Sequence, residues 1–170
     1  MEETVIISKT QYTTATCDLG QILLAGTGLG VCAVSIADTD ATHEAFLRSQ
    51  FPGAELVRED AALANWLEEL LKAAAGKPHR ALPLAVRATV FQRRVWEELQ
   101  RIPRGETRTY RELANAIGEP TAARAVARAC ATNPTAVLVP CHRVIGTDGK
   151  LRGYRWGVER KQQLLEAEKK

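Results

Sequence analysis

Spacing of apolar positions divides the chain. The first half alternates in the way strands do, and the second half repeats at helical period. Residues 22–25 (Ile-Leu-Leu-Ala) and 31–36 (Val-Cys-Ala-Val-Ser-Ile) flank the stretch Gly26-Thr27-Gly28-Leu29-Gly30, a pattern that predicts two strands around a glycine-rich turn. That turn is not a phosphate loop, because no Lys-Ser/Thr pair follows it and it leads into a strand. From residue 60 the period lengthens. Leu63, Trp66, Leu67, Leu70 and Leu71 fall on one helical face and Gly76 follows as a stop, so a helix is expected over residues 60–75. Residues 77–83 contain Pro78 and Pro83, resist helix, and read as a linker.

Beyond the linker, Thr89 and Gln92 form a capping box, and Phe91, Val95, Leu99 and Ile102 trace one apolar stripe as far as Pro103-Arg104-Gly105. A second box, Thr109 with Glu112, opens a short helix through Ile117. Gly118-Glu119-Pro120 breaks it, and Thr121 is the expected cap of a further helix to about Ala131. Two helices across a tight turn predict a helix-turn-helix. The second of them carries Ala122, Ala123, Ala125, Ala127, Ala129 and Ala131, with Arg124 and Arg128 one turn apart. A helix that reads the major groove presents Asn, Gln or several Arg side chains. This one presents methyl groups, which suit the minor groove, roughly 6 Å wide, and leave an arginine to reach the base stack. The same alanines can pack tightly against a neighbouring helix, on the opposite face. Asn133-Pro134 closes the helix. Residues 137–139 (Val-Leu-Val) then predict a short buried strand, leading into Pro140-Cys141-His142-Arg143-Val144-Ile145.

Composition narrows the class. The 170 residues are 45% hydrophobic and 25% charged, enough for one core or two small ones. No apolar run approaches the roughly 20 residues that span a bilayer. The acidic start, Met1-Glu2-Glu3-Thr4, lacks the basic flank of a signal peptide, so the expected location is cytoplasmic. The net charge of +3 conceals an asymmetry: residues 1–85 carry −5 and residues 86–170 carry +8. A basic half beside an acidic one suggests a polyanion bound on one side only. Of the four cysteines, Cys17, Cys32 and Cys130 read as buried small hydrophobes, and no C-x-x-C pair supports a zinc ribbon or a thioredoxin-type motif.

Cys141 differs because an imidazole follows it. The thiolate is the nucleophile, and a free thiol with pKa ~8.5 is little ionised at neutral pH, so a nearby proton acceptor matters. In extended backbone adjacent side chains point apart, so a direct Cys141–His142 contact is not expected and a water would complete the path. Pro140 to Val144 (PCHRV), together with TYRELANAIGEP around Tyr110, AARAVARA around Arg124, Asn133-Pro134 and Gly153-Tyr154-Arg155-Trp156-Gly157, resembles the O6-alkylguanine-DNA alkyltransferases, also called methylated-DNA–protein-cysteine methyltransferases. The resemblance runs through residues 86–170 and is similar to the carboxy-terminal part of the bacterial adaptive-response protein. It is looser from Tyr12 through Cys17 to Gly20.

The resemblance implies an α/β protein. A small amino-terminal sheet-plus-helix domain over residues 1–84, ribonuclease-H-like, would precede a mostly helical winged helix-turn-helix domain over 85–170. It implies that Cys141 accepts the alkyl group, that His142 is its water-mediated base, and that Glu168 orients the histidine. Glu166 competes for that last role, but in a helix only residue 168 shares the face of Leu164 and Leu165. Tyr110 would contact the guanine, Arg124 would replace the flipped base in the stack, Asn133 would link the alanine helix to the active-site segment, and Val144 would offer its carbonyl to the guanine edge. Tyr154 and Arg155 would wall the pocket. No cofactor or metal is implied; Cys17, Cys32 and His43 are too scattered for the structural zinc of some relatives. The implied partner is double-stranded DNA containing alkylated guanine, bound by a monomer. Three rivals are a lesion-binding module, which Cys141 argues against, a transcription regulator, for which the alanine helix is poorly equipped, and a Cys-His hydrolase, for which no oxyanion motif is evident. Trp156 stands where some relatives carry a small residue, and this predicts that methyl adducts react well and benzyl adducts poorly. Equal rates on the two modified guanines would rule that expectation out.

Overall fold

Threonines hold the first described strand extended. In the computed structural model, which describes residues 9–170, β1 (Lys9–Cys17) runs antiparallel to β2 (Gly20–Thr27), and β2 antiparallel to β3 (Gly30–Ala37). The acidic start lies outside the described residues. Strand β4 (Glu55–Arg58) joins parallel to β1, giving the order β3-β2-β1-β4. The two strands expected around the glycine-rich turn are β2 and β3. Helix α1 (Asp40–Gln50) starts at Thr39, whose Oγ1 accepts from the Thr42 N–H at 3.2 Å. Helix α2 (Asp60–Ala74) buries Leu63 and Leu70 and stops where Gly76 takes a φ of 72°. Apolar spacing does not announce β1, α1 or β4. Strand β1 alternates through threonines, and α1 buries only His43, Phe46 and Leu47, a thin stripe.

Every residue of β3 is buried, where simple alternation would leave one face wet. The cause lies along its edge. Val31 donates to the Pro83 carbonyl and Ala85 to the Val31 carbonyl, and Val34 donates to the Pro134 carbonyl, all at 2.8 Å. Residues 83–85 and 134–135 thus cover an edge that would otherwise offer unpaired backbone groups.

The second half is mostly helical: α3 (Val90–Gln100), α4 (Tyr110–Ala116), α5 (Ala123–Ala131) and α6 (Val158–Glu168). Both capping boxes form reciprocally, Thr89 with Gln92 and Thr109 with Glu112. A minimal parallel pair, β5 (Arg108–Thr109) with β6 (Val144–Ile145), ties the entrance of α4 to the segment that follows Cys141–Arg143. Three local expectations are corrected. Thr121 does not cap α5; the helix starts after Ala122 with no side-chain cap. Residues 137–139 form no strand but a succession of tight turns, with Leu138 donating to Ala136 and Val139 to Thr135. An apolar run reports burial, and here burial comes without extended backbone. Cys141–Arg143 is a 3₁₀ turn, not an extended segment.

Two cores result. One holds the sheet with α1 and α2, and takes in Ala136, Val137, Trp156 and Leu164 from the second half. The other holds α3, α4 and α5 with Val139, Cys141 and Val144. The turn at 136–139 is the seam: Val137 enters one core and Val139 the other. Val137 has a φ of 73°, a conformation that costs a β-branched residue about 1–3 kcal/mol and persists only where surroundings impose it. No helix among the described residues is long and apolar enough to cross a membrane.

Leu99, fully buried in the helical core, and Leu29, 76% exposed at the hairpin tip, should behave oppositely. Leu99→Ala is expected to lose about 2–5 kcal/mol in urea unfolding and Leu29→Ala to stay within about 0.5 kcal/mol.

Candidate active site

Four segments converge on one cavity of about 740 Å³: the start of α4, one face of α5, the 3₁₀ turn, and the loop at 146–155. Tyr110 and Arg111 come from α4, and Ala123, Arg124, Ala127, Cys130 and Ala131 from α5. Cys141, Tyr154 and Arg155 complete the wall with Gly146, Thr147, Arg152 and Gly153. The alanines of α5 do serve two faces. Ala129 packs inward with Val126, while Ala123, Ala127 and Ala131 face the cavity.

Asn133 sets the position of Cys141. Its Nδ2 donates to the Val139 carbonyl at 2.8 Å and to Cys141 Sγ at 3.3 Å, and its Oδ1 accepts from the N–H and hydroxyl of Thr135 at 3.0 and 3.1 Å. One buried amide therefore spans the turn at the seam and touches the thiol. Burial pushes the Cys141 thiol up, while the Asn133 hydrogen bond and the charges of Lys161 and Arg155 pull it down. The thiol stays protonated at rest, so ionising it requires a base.

An imidazole stands behind it. His142 Nε2 lies 2.7 Å from Glu168 Oε1, with both side chains buried. Arg143 donates to both carboxylate oxygens, at 2.9 to 3.2 Å, and to the Ile102 carbonyl at 2.6 Å. Burial alone would raise the Glu168 carboxyl, but the hydrogen bonds from His142 and Arg143 outweigh it and hold it at about 2. Burial lowers His142, against the pull of Glu168, so the ring is neutral. A carboxylate can only accept, which puts the single imidazole proton on Nε2 and leaves a lone pair on Nδ1. That Nδ1 is buried and has no hydrogen-bond partner among the described residues.

Comparisons with known proteins give the family. The family described as 6-O-methylguanine DNA methyltransferase, DNA binding domain, matches residues 90–170. The chain is 44% identical to the inducible methylated-DNA–protein-cysteine methyltransferase of Bacillus subtilis over 124 residues, which is 72% of this chain and 69% of that protein. The chain belongs to the methylated-DNA–protein-cysteine methyltransferase family. It is also 46% identical over 159 residues to the bifunctional transcriptional activator/DNA repair enzyme Ada of Escherichia coli, covering 93% of this chain and 45% of Ada. The chain spans about half the length of the first curated relatives it matches. A crystal structure of Mycobacterium tuberculosis OGT in complex with DNA superposes with a TM-score of 0.80 at 39% identity, covering 94% and 92% of the two chains.

Within this methyltransferase frame, Cys141, Tyr110, Arg124, Tyr154 and Arg155 line the cavity. Asn133, His142 and Glu168 form the layer behind, in contact with Cys141 or with one another. Val144 does not line it; its side chain is fully buried in the helical core. Nor does Trp156, which packs edge-on against Phe46 with ring centroids 5.0 Å apart. The premise that its bulk narrows the pocket for benzyl adducts is therefore corrected. The indole is spent on the amino-terminal core, and Arg155, lying over Phe46 at 5.3 Å, occupies the wall instead.

Two residues escaped sequence reasoning. Arg143 sits inside the PCHRV motif, where the motif itself suggests no role for it; its fixed charge balances Glu168 and lets His142 stay neutral. Lys161 is fully buried, with its Nζ 3.4 Å from the Arg152 carbonyl and 5.9 Å from the centroid of the Tyr110 ring. The spacing that selects Glu168 with Leu164 also places residue 161 on the buried face, and that signal was available.

These shifts fix the sign of the pH dependence. Glu168 and His142 are both lower in the folded protein, so both contribute stability that is complete above about pH 6.5, the ordinary histidine value, and fades in acid. Urea midpoints are expected to fall below that pH, and the loss between about 4.3 and 2 should be shallower in Glu168→Gln. Identical acid slopes in the two proteins would contradict the assignment of Glu168.

Proposed function

We propose that this protein repairs DNA by direct reversal, each molecule taking one alkyl group, mainly methyl, from O6 of guanine or O4 of thymine onto Cys141. The observation that carries the reading is the Cys141 thiol in the wall of the cavity, with the His142–Glu168 pair behind it. His142 Nδ1 takes the thiol proton through a water, and Glu168 holds the ring in the required tautomer. The sulfur attacks the alkyl carbon, the carbon–oxygen bond breaks, and the electron pair leaves with guanine. Burial pushes the Tyr110 hydroxyl up to about 12, so it acts as a hydrogen-bond donor to the departing base. The proton released from Cys141 is the one guanine recovers. The product is a thioether that water does not cleave, so the protein is consumed.

Access to O6 requires the base to leave the stack. Helix α5 is slim enough for the minor groove, and Arg124 is exposed at the cavity and free to enter the gap. The partner is duplex DNA carrying an alkylated guanine, bound by a monomer in the cytoplasm. Residues 85–170 act as a winged helix-turn-helix, with α4 and α5 as the helix pair and the β5–β6 pair beside them. Residues 1–84 form a ribonuclease-H-like domain, a reading supported by the β1-β2-β3 meander with β4 parallel to β1.

Incubation with duplex containing O6-methylguanine, followed by intact mass measurement, tests this. Wild type should gain one methylene mass and no more, and Cys141→Ser none. Repeated turnover without mass gain would defeat the proposal. Affinity should fall steeply with salt, and Arg124→Ala should slow repair of duplex far more than reaction with the free modified base.

A further inference from the structure

Glu168 occupies the last turn of α6, where helices fray, yet its carboxylate must stay on His142. The amino-terminal half holds that helix along its length. Arg160 donates to the Leu19 carbonyl at 2.8 Å and pairs with Asp38 at 2.7 Å, and Gln163 Nε2 reaches the Asp18 carbonyl at 3.4 Å. Leu164 is buried in the sheet's core. At the end of the helix the approach is closest. A Cβ on Gly76 would stand 2.4 Å from the Ala167 carbonyl oxygen and 2.9 Å from the Glu168 nitrogen. Those are backbone atoms, which cannot swing aside. Gly105 closes the other flank, its N–H directed at Glu168 Oε2 at 3.5 Å.

We infer that Gly76 is a positioning residue for alkyl transfer: the turn that ends α2 clamps the last turn of α6 and so keeps Glu168 on His142. This rests on the function proposed above. It gives the amino-terminal half a part in the chemistry, although every residue lining the cavity comes from the second half. Gly76 meets two demands at once, a left-handed φ and the close approach. Gly53 has a φ of +77° with nothing within 4 Å of its would-be Cβ, so Gly53→Ala carries the conformational strain without the collision.

The test follows methyl transfer from duplex containing O6-methylguanine across pH, for wild type, Gly76→Ala, Glu168→Gln and the double variant, with the folded fraction read by circular dichroism. The charged groups facing His142 are Glu168 and Lys161 from α6 and Arg143 from its own turn. Gly76→Ala should slow transfer about tenfold or more. The acid limb of its profile should move to lower pH, because His142 loses part of the carboxylate that raises it. On the Glu168→Gln background the same change should cost less than about twofold. Gly53→Ala should keep wild-type rate and profile. A rate lowered equally at every pH, or effects that multiply in the double variant, would overturn the inference. If Gly76→Ala does not fold, Arg160→Gln, which loosens the same helix, is judged by the same criteria. Wild type that accepts no methyl would defeat the proposed function instead.

Discussion

A carboxylate kept ionised inside the protein is the constraint from which the rest follows. Taking Glu168 out of water carries a cost of several kcal/mol unless partners replace the solvent. Arg143 supplies the charge and His142 a hydrogen bond. Because Arg143 already balances the carboxylate, His142 need not be protonated to pair with it, and a neutral ring with a free lone pair is what a base requires. The same burial that makes the site expensive thus makes it usable. It also makes it demanding, since the carboxylate belongs to the last helical turn of α6 and is held there by packing from three other segments.

The turn at 133–141 meets a second demand, serving two cores at once. Val137 and Val139 point into different cores, which two residues of a strand on the same face could not do. The left-handed φ at Val137 is the cost of that reversal, and Asn133 offsets it by spending its amide on Thr135, Val139 and Cys141 together. Position, strain and thiol are one problem with one solution.

That coupling explains what could be read from the sequence. Capping boxes at Thr89 and Thr109 and the stop at Gly76 are local chemistry, and local chemistry is legible. So was the amphipathic face of α6, which selected Glu168 over Glu166. The turn at 137–139 was not legible, because three apolar residues announce burial but not the backbone path that long-range contacts impose. Trp156 was misjudged for the same reason. Its partner, Phe46, lies more than a hundred residues away in α1, and nothing near position 156 hints at it. Cys141 and His142 were legible as neighbours, but the tautomer that relates them depends on a carboxylate 26 residues on.

The charge asymmetry resolves in a similar way. Several arginines of residues 86–170 are engaged by the fold itself: Arg94 with Glu119, Arg108 with Glu106, Arg143 with Glu168 and Arg152 with Asp148 pair inside that half and leave its net charge unchanged, while Arg160 pairs with Asp38 across the halves. The exposed pairs among them add little stability, and in each the carboxylate offsets the cation in the field a polyanion would meet. Arg111, Arg124 and Arg155 line the cavity and form no ion pair among the described residues. Pairing inside the half therefore changes where the positive charge of residues 86–170 sits but not its total. A share of the remaining positive charge, carried by Arg111, Arg124 and Arg155, thus stands at the cavity that Cys141 lines.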